Sequence, residues 1–190
     1  MQKAKSKVPF HSRQNDCMHY FDIVGIDERE ASPMLGLLGY RKFFYIGKDI
    51  FIGSADYANE SRGKGVLVEI SKGETGSFLR AIERNNVLGA LASERISKNA
   101  LGIIAENKKL FAFNASELIC VDQKTRLRNM RRYRRELELA LHLKVQAAIA
   151  TFAREKENLL SSAQIIEVAK FMGADQNIAK GMVSVWGDML

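Results

Sequence analysis

The sequence predicts an α+β protein with a strand-rich N-terminal part and a C-terminal helical part built on one long helix. Two differences in texture carry that prediction. Residues 18–122 hold short apolar runs rich in Phe, Ile, Val and Tyr, broken by Gly, Asn and Asp, as strands and turns are. Residues 123–190 are rich in Ala, Leu, Glu, Arg, Lys and Gln, all good helix formers.

Residues 1–17, beginning MQKAKSKVPFHSRQ, have the composition of a flexible basic arm. Within 18–122, the segments 19–26, 42–53, 65–71 and 101–113 read as strands and hairpins, with a turn at Glu106–Asn107–Lys108. Residues 84–97, RNNVLGALASERIS, read as a short helix. Residues 75–84 are open to either reading, strand or helix. Leu127, Met130, Leu137, Leu141, Val145, Ala148 and Phe152 recur at helical spacing, which predicts one helix over roughly 125–158. Leu127, Met130 and Leu137 are its expected core-facing side chains. A Ser N-cap at LLSSAQ opens a second helix, Gly173 ends it, and a third starts near Asp175.

At 190 residues and 46% apolar composition, with only two prolines, the chain can build a proper core. It has neither 18 consecutive apolar residues nor an apolar stretch behind its basic start, so no membrane partner is expected. Two cysteines, Cys17 and Cys120, are too few for a disulfide framework, and a cytoplasmic location is the simplest expectation. No P-loop, G-x-S-x-G, H-E-x-x-H or Cys-x-x-Cys motif is present, so no enzymatic activity and no cofactor are expected. His11, Cys17, His19 and Cys120 fit no zinc-finger spacing, and Asp22, Asp27, Glu28 and Glu30 read as solvated loop charges; no metal site is expected.

The net charge is +7, and five of those seven charges fall in residues 123–190. Most come from KTRLRNMRRYRREL, residues 124–137: Lys124, Arg126, Arg128, Arg131, Arg132, Arg134 and Arg135 precede the first carboxylate, Glu136. On a helix, Lys124, Arg128, Arg131, Arg132 and Arg135 share a broad face. Like charges at such spacing repel, and Arg is the better bidentate phosphate ligand. The stretch therefore predicts a nucleic-acid backbone clamp.

Two further segments point the same way. In VEISKGETGSFLRAIE (68–83), Glu69, Gly76, Phe78, Leu79, Arg80 and Glu83 resemble the strand–turn–strand signature of PUR repeats. That resemblance implies a curved sheet binding single-stranded nucleic acid. Read as strand then helix, residues 66–95 are similar to ribbon-helix-helix regulators, which implies a dimer whose paired strands enter the DNA major groove. Both place Arg62, Lys64, Lys72 and Arg80 near nucleic acid. In residues 163–186, Ala169 and Gly173 have helix-turn-helix spacing, and the second helix would present Gln176, Asn177 and Lys180 to DNA.

The expected function is that of a DNA-binding protein, a regulator of transcription or of a mobile element, with duplex DNA favoured over single strands and homodimerisation a further expectation. The alternatives are a single-stranded nucleic-acid-binding accessory protein and a helical adaptor.

Overall fold

The structure is a computed structural model and describes residues 19–60, 65–70 and 75–189. Strand and helix alternate along most of it. In chain order come β1 (Phe21–Val24), α1 (Glu28–Ala31), a 3₁₀ turn, α2 (Leu35–Leu38), β2 (Lys42–Tyr45), β3 (Ile50–Gly53) and α3 (Ala55–Glu60). Then follow β4 (Gly65–Glu69), α4 (Thr75–Ile82), β5 (Val87–Leu91), α5 (Lys98–Glu106), β6 (Leu110–Asn114) and α6 (Ser116–Ile119). The chain ends with α7 (Gln123–His142), β7 (Gln146–Ala150), a second 3₁₀ turn, α8 (Ser162–Phe171), α9 (Gln176–Ser184) and α10 (Trp186–Met189).

Every strand pair is parallel: β1 with β2, and β3-β4-β5-β6-β7 in sequence order. Single bridges join the two sheets at both ends, Ile46 to Ile50 between β2 and β3, and Val24 to Ala153 between β1 and the segment after β7. The strands thus form a closed ring. An inner cluster takes a side chain from each strand: Ile23, Phe44, Ile50, Leu67, Leu91, then Leu110 with Ala112 and Ala148 with Ala150. The outward side chains, such as Val66, Val68, Phe111, Phe113 and Ile149, pack under the helices. This is a β/α barrel with seven strands among the described residues.

The mixed α and β content matches the expectation; the layout does not. A helical C-terminal part without strands is overturned by β7, which pairs along its length with β6. The 125–158 helix stops at His142 because Lys144 turns left-handed, with φ 59°. Val145, Ala148 and Phe152 therefore lie beyond that helix. Leu127 points to solvent, 54% exposed, whereas Leu137 is buried. Residues 84–97 hold strand β5 instead of a helix. Its Gly89 lies so close to β6 that a Cβ there would sit 2.2 Å from the Leu110 carbonyl oxygen. Residues 101–106 belong to helix α5, started by the Ser97 side chain accepting from Ala100 N at 3.1 Å. The turn at Glu106–Lys108 stands, with Lys108 at φ 54°. So do the last helices: Ser161 and Gln164 form a reciprocal capping box, and Gly173, at φ 105°, follows α8.

The β1–β7 seam is held by a buried carboxylate. Asp22 Oδ1 accepts from Thr151 N at 2.7 Å and Ile23 N at 2.9 Å, and Oδ2 from Thr151 Oγ1 at 2.5 Å. Burial pushes its pKa up to about 7 against those hydrogen bonds. Burial, together with the Asp22 charge, raises the Tyr40 phenol, which donates to Leu160 O at 2.9 Å.

Candidate nucleic-acid interface

Helix α7 carries the basic stretch, and its cations divide into two groups. Arg132 is built into the fold. It donates to Ser93 O at 2.5 Å, Ala92 O at 3.1 Å and Glu117 Oε2 at 2.7 Å, tying the end of β5 to the segment after β6. Tyr133 adds its hydroxyl to the same carboxylate at 3.0 Å. Arg126 donates to Ile119 O and Val121 O, and Arg134 to Phe171 O at the end of α8, although both are exposed. Lys124, Arg128, Arg131 and Arg135 are also exposed, and none makes a hydrogen bond or ion pair among the described residues. At i, i+4, i+7 and i+11 they form one row along the outer face.

That row borders an open groove of about 1040 Å³ between α7 and the segment linking β5 to α5. Arg131 and Arg135 line one wall, Arg95 and Lys98 the other. The groove runs along the outside of the barrel, from the segment after β5 down α7 to His142. Glu136 lies at its base, 3% exposed; Oε1 accepts from Ile96 N at 3.3 Å and Oε2 has no hydrogen-bond partner. Burial pushes this carboxyl up to about 7, opposed by the charge of Arg132.

The other expected site residues are scattered. Arg80 lies on α4 and donates to Gly76 O. Gln176, Asn177 and Lys180 lie on α9, where Asp175 caps the helix by accepting from Asn177 N and Ile178 N. Arg62, Lys64 and Lys72, like His11 and Cys17, lie outside the described residues. Arg95 and Lys98 were missed by sequence reasoning. Reading VLGAL as a strand places both in the segment after a strand end, where site residues gather. Among the described residues no cluster of His, Cys, Asp or Glu could hold a metal ion.

A β/α barrel with a cationic groove on its outer face is the class that fold and geometry define. Its likeness is to a chain in the cryo-EM structure of archaeal ribonuclease P with mature tRNA, with TM-score 0.66, 16% identity and 89% of each chain covered. No protein-family model and no curated protein matches the sequence. At this identity the likeness shows the fold alone.

The two resemblances expected from residues 66–95 are corrected. Residues 75–82 are helical, so the returning strand of a PUR repeat is absent. Strand β4 is enclosed between β3 and β5 within its own barrel, so it cannot pair across a dimer as a ribbon-helix-helix strand must. The DNA-regulator reading, with duplex DNA as partner and a role in transcription or a mobile element, falls as well: the fold is that of a ribonuclease P chain, not of either DNA-binding family.

Proposed function

We propose that this protein binds RNA as a non-enzymatic accessory component of a ribonucleoprotein. The observation that carries the reading is the barrel shared, over 89% of each chain, with a member of an assembly containing tRNA. The exposed row Lys124, Arg128, Arg131 and Arg135 supports it, because guanidinium groups without protein partners are ready phosphate ligands. Several polar side chains near the strand ends are taken up by the fold, which supports binding over catalysis. Ser93 joins Ile70 and Leu91, Ser116 donates to Thr151 O, Glu117 is taken by Arg132 and Tyr133, and Thr151 by Asp22.

A salt-titrated assay with tRNA, a single-stranded oligoribonucleotide and a DNA duplex tests this. RNA should bind more tightly than the duplex, with affinity falling steeply as salt rises. Replacing Arg128, Arg131 and Arg135 together by Gln should lower the slope of log affinity against log salt by about 2, at roughly 0.7 per phosphate contact. Equal or tighter binding of the DNA duplex, or an unchanged slope, contradicts the reading.

A further inference from the structure

We propose that the groove between the start of α5 and the middle of α7 seats a single phosphate group of an RNA strand. This rests on the RNA-binding reading and adds the docking group and the atoms that hold it.

The argument is one of donors and acceptors. Helix α5 spans nine residues, and Ser97 takes only the Ala100 N–H. The N–H groups of Lys98 and Asn99 have no intrahelical acceptor, and they open the helix beside the groove. Arg95 and Lys98 stand on that wall and Arg131 and Arg135 on the other. The base adds two buried atoms without a hydrogen-bond partner, Glu136 Oε2 and Arg132 Nε.

A carboxyl group beneath four cations would be expected to be ionised and paired. Here one oxygen is unpaired and burial favours the protonated form. A protonated Glu136 is a donor, as are the side chains of Arg95, Lys98, Arg131, Arg132 and Arg135 that line the groove, where Glu138 is the other carboxyl group. The complement is a compact ligand that bears several acceptor oxygens and no hydrogens. A tetrahedral phosphate meets that requirement, with oxygens directed to both walls and the floor, whereas a planar carboxylate reaches only one pair. The groove is wider than one phosphate, which leaves space for the adjoining ribose.

Sulfate, a dianion of fixed charge, is the probe, and a single-stranded oligoribonucleotide is the test of source. On the full chain, Arg95→Gln with Lys98→Gln should weaken sulfate binding about tenfold and RNA binding severalfold. Both residues are exposed, so folding should persist. Lys124→Gln with Arg128→Gln should weaken RNA binding and leave sulfate binding unchanged.

Sulfate affinity should also fall between pH 6 and 8 as Glu136 ionises. Arg132, Arg95 and Glu117 act on that carboxyl. Glu136→Gln should flatten the profile, whereas His142→Gln, altering the histidine that lines the groove, should retain a fall. RNA bound equally by wild type and the Arg95/Lys98 variant, with no sulfate bound, overturns the seat and leaves the RNA reading intact. Sulfate bound without RNA overturns the RNA assignment and identifies a site for a free anion. Binding of neither overturns both.

Discussion

Asp22 illustrates how one side chain can replace a missing stretch of strand pairing. The β1–β7 seam has a single bridge, and the carboxylate accepts the Thr151 N–H that a strand partner would otherwise take. Its folded pKa of about 7 stands above the unfolded value of 3.8. Below pH 4 the acid is protonated in both states and the full stability is present. Between pH 4 and 7 only the unfolded chain loses its proton, so stability declines, by on the order of 1.4 kcal/mol per pH unit at most. The protonated acid can donate to Thr151 Oγ1, whose own hydrogen can turn to Ile23 O, 3.4 Å away. Asparagine offers the same donor. Asp22→Asn should therefore match wild type below pH 4, exceed it by a growing margin from pH 5 to pH 7, and show a flatter profile in denaturant titrations across that range. A uniform loss at every pH would mean that the ionised form is the native one.

Helix α7 shows what the sequence made legible and what it hid. The charge count pointed to a basic face on this helix, and Lys124, Arg128, Arg131 and Arg135 are exposed there. It could not separate Arg132 from Arg131, since acceptors for Arg132 come from Ser93, Ala92 and Glu117, which are distant in sequence. Nor did it locate the end of the helix. No Gly or Pro occurs from residue 125 to 158, and the left-handed position is taken by Lys144. Strand β7, QAAIA, is buried on both faces, so it lacks the alternation of a half-exposed strand, and its alanines read as helix. The division among the arginines has a measurable consequence. Arg132→Gln should destabilise the fold by about 2–4 kcal/mol, since it breaks a half-buried charged network. Arg128→Gln and Arg131→Gln should change stability by less than about 0.5 kcal/mol. Chemical denaturation of the three variants checks this, and equal effects would contradict the division.

At the scale of the whole molecule, the barrel is completed from outside the ring of strands. Short runs such as GVLVE and LFAFN marked strands correctly, but their order and parallel pairing are set by contacts between distant segments, which periodicity does not encode. The interior reveals a further dependence. Strand β7 contributes only Ala148 and Ala150 to it and β6 contributes Ala112 beside Leu110, which leaves space. Trp186, from α10, fills that space: it is fully buried, donates to Ile149 O at 2.9 Å, and meets Phe152 edge-on at 6.3 Å. The neighbouring Gly187 permits the close approach, because a Cβ there would fall 2.2 Å from the Phe21 ring. Helix α10 is thus part of the barrel core. Trp186→Ala should cost about 3–5 kcal/mol, the range for deleting a large buried aromatic. Trp186→Phe keeps most of the volume but strands the Ile149 carbonyl, and should cost about 1–3 kcal/mol. Denaturant unfolding measures both. The Trp186→Phe variant, under conditions where it is fully folded, should bind RNA as wild type does, because the α7 row and the groove lie on the outside of the barrel. A Trp186→Ala loss below about 1 kcal/mol would show that the strands alone fill the interior.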